Sequence, residues 1–241
     1  PIFWASIFSK SYKQEFNVSE EDLAIVSVKN HKQAQKNPNA LSKKTYSVED
    51  VINSKKLTDD LRLLNCSRPC SGGASIVLAS EEISKKITDT PVWISGIGQK
   101  TTSAGFTKNE SLFSMNSSKQ ASESALKMAN KNISQVDVAE IHDAFSVCEP
   151  MALEAIGFTN QGEGMSLVKN LHETNNFKIN SRGGLIGCGH PLGATGISQT
   201  IEIVQQLQQS AESRQVDNPE IGLVHNMSAA ATSSTVLVLE K

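Results

Sequence analysis

Apolar positions recur at helical spacing through residues 2–16 and stop before Asn17-Val18-Ser19, which predicts a first helix. Ser19 stands three residues ahead of Asp22, a capping pair that starts a second helix over residues 20–35. Residues 36–57 mix turn chemistry such as Asn37-Pro38-Asn39 with one short capped helix after Ser47, and read as a surface excursion. The continuous apolar run 74–79 follows Ser71-Gly72-Gly73 and suits a buried strand, and a polar helix is expected over residues 80–90. A break falls near Thr90. Beyond it the pattern predicts a strand at 92–98, a long polar loop at 99–118 and an amphipathic helix at 119–132 carrying Ala121, Ala125, Leu126 and Ala129 on one face. Alternation at 136–141 predicts a strand that delivers His142-Asp143-Ala144-Phe145 at its C-terminal end. A helix over 146–156 closes at Gly157, another runs over 193–209, and strands at 221–224 and 235–239 complete the chain. Strands alternating with helices argue a layered α/β fold.

Composition removes several classes of function. The chain has 241 residues, 38% of them hydrophobic, with 23 basic against 25 acidic side chains. A net charge of -2 with dispersed basic residues gives no footprint for nucleic acid or an anionic membrane. No apolar run approaches the roughly 20 residues that span a bilayer, and no signal pattern opens the sequence. Four scattered cysteines, Cys66, Cys70, Cys148 and Cys188, do not form a disulfide framework, so a reducing, cytoplasmic setting is expected. The chain opens on Pro1 and runs directly into a helix, which reads as a fragment of something longer.

Three segments could carry chemistry. The stretch from Gly183 to Gly196 holds six glycines in fourteen residues around Gly187-Cys188-Gly189-His190-Pro191, ahead of a long helix. Such a path lets backbone approach a ligand closely, and a histidine beside a helix N-terminus can bind an oxyanion or exchange a proton. Cys188 stands two residues from His190, where a thiolate could be favoured. A lone Gly-His-Pro could equally be a turn with a structural histidine, but the full string carries too many simultaneous constraints for that. His142 at a strand end is placed either to orient a water or carbonyl or to serve structure, and Cys148 reads as a small core residue. His225 and Asn226 are the polar groups of a small-residue run and are uninformative alone. Cys-x-His and His-x5-Cys are not ligand spacings and Cys66-x3-Cys70 lacks a second pair, so no metal site is expected.

Taken together, these segments resemble thiolases. The string from Gly184 to Gly196 is similar to the thiolase Gly-His-Pro loop, and His142-Asp143-Ala144-Phe145 resembles the His-Asp-Cys-Phe loop of the sterol-carrier-protein-2 type. The stretch from Glu20 to His31, Leu61 to Cys66, Ser71-Gly72-Gly73-Ala74 and His225-Asn226 resemble that subfamily in the same order. The resemblance implies the thiolase fold: residues 1–90 would be a loop-domain remnant and the closing strand of the N-terminal half, and residues 91–241 the C-terminal βαβαβαββ half. It implies an acyl-CoA C-acyltransferase that makes or cleaves a carbon–carbon bond next to a CoA thioester, with its nucleophilic cysteine in an N-terminal half outside this chain. The partners implied are acyl-CoA or acetyl-CoA and further copies of itself, as a homodimer or homotetramer, with no covalently bound cofactor.

Role by role, the resemblance makes His190 the activator of that cysteine and part of an oxyanion hole, and His142 the polar contact of a second hole. Gly189, Gly193 and Ala194 would approach the CoA thioester. Ala144 replaces the loop cysteine of the sterol-carrier type, and His225-Asn226-Met227 stands where relatives carry Cys-x-Gly. Cys188 is therefore the candidate second acid/base and His225 the reserve. Two rival readings remain: a thiolase-like retro-aldolase and a non-catalytic acyl-CoA binding subunit.

Overall fold

The structure, a computed structural model, describes residues 1–103, 105 and 111–241. Helix α1 (Ile2–Phe16) buries Ala5, Phe8 and Tyr12, and ends at Asn17 in a left-handed conformation that asparagine tolerates. Helix α2 (Glu20–Ala34) begins with a reciprocal capping box between Ser19 and Asp22, and α3 (Val48–Ile52) with another between Ser47 and Asp50. A two-stranded antiparallel ribbon, β1 (Lys56–Thr58) and β2 (Leu61–Arg62), follows, and α4 (Glu81–Ile87) lies on the surface.

The run 74–79 is not a buried strand. It carries no regular secondary structure, and Val77 and Leu78 are 89% and 72% exposed. Among the described residues no strand pairs with it. An apolar run with neither ladder partner nor covering layer cannot bury itself, however strand-like its composition.

The main sheet is built from β3 (Trp93–Thr101), β4 (Val138–Glu140), β5 (Ile221–Met227) and β6 (Ser233–Glu240), in the order β3-β6-β5-β4. β6 is antiparallel to both neighbours, and β4 is parallel to β5. Beyond β4, Ala139 makes a parallel bridge to Ile179, with Ala139 N–H donating to Lys178 O at 2.8 Å and Asn180 N–H donating to Ala139 O at 2.9 Å. Counting that short rung, strand and helix alternate as β3, α5 (Asn116–Ala129), β4, α6 (Cys148–Ile156) with α7 (Gly164–Glu173), the 178–180 rung, α8 (Gly184–Cys188) with α9 (Thr195–Leu207), β5 and β6. This is the expected βαβαβαββ order, with its third strand reduced to a bridge.

Alternation sorts the sheet's side chains onto two faces. Leu223, Val236 and Val238 face the larger core with Ala121 and Ala125 of α5, whereas Val138, Val224 and Leu239 meet Ile203 and Leu207 of α9. α5 lies unusually close to β3: a Cβ on Gly98 would stand 1.9 Å from the Ala121 carbonyl oxygen, so that position admits no side chain. The expected polar loop over 99–118 is shorter than its composition suggested. β3 continues to Thr101, paired with Ser233, and α5 begins at Asn116; residues 104 and 106–110 lie outside the described part. Ser117 and Ser118 enter the helix because their hydroxyls are needed in the interior, each bonding Ser234 Oγ at 2.7 and 2.9 Å.

Candidate active site

The His142 loop leaves β4 and is held at every step. Ile141 N–H donates to Asn180 Oδ1 at 2.7 Å, and His142 N–H reaches His225 Nδ1 at 3.5 Å. Asp143, fully buried, accepts from Leu185 N–H at 2.6 Å and Ile186 N–H at 3.3 Å. Those amides belong to the first turn of α8, so Asp143 caps the short helix that Gly184–Cys188 forms where glycine-rich sequence suggested only loop. Gly184 has φ 58°, and a Cβ there would lie 2.2 Å from Asp143 Oδ2, so the cap requires glycine at this point.

Behind Asp143 lies a charged cluster supplied by α2. Asn30 Nδ2 donates to Asp143 Oδ2 and Glu149 Oε2, both at 2.7 Å, and Lys29 Nζ pairs with Glu149 Oε1 at 2.9 Å with both side chains fully buried. Asn180 Nδ2 donates to the same Glu149 Oε2 at 2.8 Å. Burial, reinforced by the neighbouring Glu149 charge, pushes the Asp143 carboxyl up from its ordinary range. The stretch from Glu20 to His31 carries part of the family resemblance, but sequence alone predicts no role at the site for Lys29 or Asn30. The cluster's trace in the sequence is Lys29-Asn30-His31-Lys32-Gln33, five polar residues in succession on an otherwise half-apolar helix.

His190 sits at the end of α8's exit turn. Its N–H donates to Arg68 O at 2.8 Å and its carbonyl accepts from Cys70 N–H at 3.4 Å, which ties the Gly-His-Pro turn to the 66–70 segment. The rings of His142 and His190 meet edge to face, with centroids 5.1 Å apart and planes at 88°. Both line a cleft of about 610 Å³. Trp4 from α1, Phe145, Leu192 and Met227 form much of its wall, and Asn226 adds a polar edge. No charged side chain among the described residues lines it. Trp4 packs on Phe145 at 5.0 Å and 83°.

Both histidines are held neutral at pH 7. Burial, with smaller contributions from His190, His225 and Arg182, keeps His142 well below the ordinary imidazole value; burial and then Arg182 lower His190. A neutral imidazole can accept a proton through one nitrogen and donate through the other, which suits it to proton transfer and to anion stabilisation in a cleft with little competing charge.

The remaining candidates lie elsewhere. Cys188 is buried on the opposite side of the turn, where its thiol donates to Arg182 O at 2.8 Å and accepts from Asn37 Nδ2 at 3.1 Å. Burial is the main cause that pushes the Cys188 thiol up to about 11, against the opposing Arg182 charge. With Gly189 and Ala194 it borders a second cavity of about 390 Å³. Gly193 is exposed, with open space beside it. His225 is fully buried behind His142, its Nε2 2.9 Å from Ser118 Oγ, and burial lowers it to about 4. Among the described residues no group of three or more His, Cys, Asp or Glu is placed to hold a metal ion, and no helix is long and apolar enough to cross a membrane.

Comparison with known proteins settles the family. The model of the thiolase C-terminal domain-like family matches residues 98–241, more than half of the chain. The chain belongs to the thiolase family. This thiolase chain is 34% identical over 238 residues to the acetyl-CoA acetyltransferase of Methanothermobacter thermautotrophicus, covering 98% of itself and 62% of that protein. It is also 34% identical over 225 residues to sterol carrier protein 2 of Bos taurus, covering 90% of itself and 41% of the relative. It therefore spans between two fifths and two thirds of the length of these curated relatives. Among solved structures, the Ltp2-ChsH2(DUF35) aldolase superposes with a TM-score of 0.86 at 20% identity, over 98% of this chain and 62% of that one, a likeness of fold.

Proposed function

We propose that this thiolase chain is the C-terminal portion of an acyl-CoA C-acyltransferase, with residues 1–90 completing the N-terminal half and its loop domain and residues 91–241 forming the C-terminal half. The observation that carries the reading is the pair of neutral histidines, His142 and His190, meeting edge to face on an uncharged cleft. His190 takes the proton of an attacking cysteine thiol supplied from outside this chain. The thiolate adds to a thioester carbonyl, and the negative charge gathers on oxygen, where a ring N–H of His142 or the proton that His190 has just taken can meet it; the intermediate then collapses to the acyl-cysteine, and the departing CoA thiolate takes the proton back from His190. In the condensation direction a ring N–H of His142 stabilises the enolate formed beside the second thioester.

The substrates are CoA thioesters, acetyl-CoA among them, in keeping with the names of the acetyl-CoA acetyltransferase relatives. Gly189, Gly193 and Ala194, on the same turn as His190, contact the CoA portion of the thioester outside the cleft that holds the two histidines, and the intact enzyme works as a homodimer or homotetramer in the cytoplasm. Cys188, with its thiol engaged by Arg182 and Asn37, and His225, with both ring nitrogens engaged, support the two loops from behind.

The test is thiolysis of acetoacetyl-CoA by the intact protein, followed by loss of the enolate absorbance. His190→Ala is expected to slow turnover by about 10³-fold, within the range for a lost general base. Undiminished turnover in that variant refutes the assignment. Binding of acyl-CoA without turnover marks a non-catalytic subunit, and cleavage of a β-hydroxyacyl-CoA without free CoA marks a retro-aldolase.

A further inference from the structure

We propose that Thr195 sets the tautomer of His190, placing the ring hydrogen on Nδ1 and leaving Nε2 bare toward the cleft. Thr195 is the first residue of α9 and is 1% exposed, so water does not compete for its hydroxyl. His190 Nδ1 stands 2.7 Å from Thr195 Oγ1, and the same hydroxyl donates to Pro191 O at 3.1 Å, as a third donor beside Ala194 N–H at 2.8 Å and Thr195 N–H at 3.0 Å. A threonine hydroxyl has one hydrogen and two lone pairs, whereas a carbonyl oxygen only accepts. Donation to the carbonyl four residues back is a habitual arrangement for threonine in a helix. Once that hydrogen is committed to Pro191, what Thr195 offers His190 is a lone pair, and Nδ1 must bring the hydrogen.

The opposite tautomer would put two lone pairs face to face, or turn the hydroxyl away from Pro191 and lose that bond. With Nδ1–H engaged, Nε2 of a neutral His190 is the acceptor, which is the state a base needs before it receives a proton. Thr195 is thus a positioning residue, acting on the reaction only through His190. The catalytic consequence rests on the acyltransferase reading; the tautomer does not.

The protein contains an internal standard. His225 Nδ1 accepts from His142 N–H and its Nε2 faces Ser118 Oγ, which begins a chain through Ser234 and Ser117 to the carbonyl of Ala231. That chain closes with every hydrogen directed toward Ala231, so His225 carries its hydrogen on Nε2.

Long-range ¹⁵N–¹H correlation of the histidine-labelled protein reads which ring nitrogen is protonated in each residue. The expected spectrum has His190 protonated on Nδ1 and His225 on Nε2. Thr195→Ser keeps the His190 pattern, and Thr195→Val moves hydrogen to Nε2 while the His225 signals, which report an intact fold, stay in place. In an active enzyme Thr195→Val lowers the thiolysis rate about tenfold, the ratio one ordinary hydrogen bond represents, and Thr195→Ser restores it. Nε2 protonation of His190 in the unmodified protein overturns the proposal, as does an unchanged His190 pattern in Thr195→Val. The chain alone, without the attacking cysteine, is expected to be inactive; an intact protein that carries the N-terminal half, shows the expected spectra and still does not turn over refutes the acyltransferase reading and leaves the tautomer assignment standing.

Discussion

Replacing His225 by glutamine changes how stability depends on pH, and the size of the change follows from burial. His225 is 0% exposed, with Nδ1 facing a backbone N–H and Nε2 facing a serine hydroxyl, and its folded-state value drops from 6.5 to about 4. Between those values the unfolded chain binds a proton at this residue and the folded chain does not. The unfolded state therefore gains on acidification, and the stability present above about pH 6.5 is lost as pH falls toward 4. A gap of this width is worth about 3 kcal/mol, a large part of the 5–15 kcal/mol that holds a domain together. Burial raises the Asp143 and Glu140 carboxyls, which titrate in the opposite sense but do so in both proteins. The difference between the two pH profiles then belongs to His225. Urea unfolding at about pH 7, 5.5 and 4, followed by tryptophan fluorescence, should show the unmodified protein losing about 3 kcal/mol more than His225→Gln across the range. Parallel profiles would mean that the site admits a charged imidazole and that the hydrogen-bond chain behind it is not closed.

Lys29→Met leaves Glu149 buried with no cation beside Asp143, and should cost about 3–5 kcal/mol in urea unfolding; a cost under about 1 kcal/mol would refute the pairing. Raised from 9.0 to about 11, the Cys188 thiol should be alkylated by iodoacetamide at pH 8 about 100-fold more slowly than an unperturbed thiol, as read by mass spectrometry of its peptide, and fast labelling would place it in the open.

Local chemistry made much of this molecule readable in advance. The capping boxes at Ser19 and Ser47 and the left-handed stop at Gly157 are short-range features, and they appear where residue spacing puts them. The two histidine loops were legible because each motif concentrates its constraints in a few adjacent residues. Other features depend on partners far away in sequence. Residues 74–79 have strand composition, but a strand needs a neighbour, and the described chain supplies none. The glycine-rich turn becomes helical at Gly184–Cys188 because Asp143, 42 residues earlier at Leu185, caps it. Which side of that turn Cys188 occupies depends on Asn37 and Arg182, whose places no periodicity reveals.

Asn30 joins carboxylates at positions 143 and 149, 113 and 119 residues away along the chain. Closing loops of that length is entropically expensive and slow, and little is gained until α2 has docked and Lys29 has met its counter-charge. Within the fold the Glu149 charge still raises the Asp143 carboxyl beside the amides that it caps. Placement of the His142–His190 pair is thus contingent on long-range closure through residues that never touch the cleft.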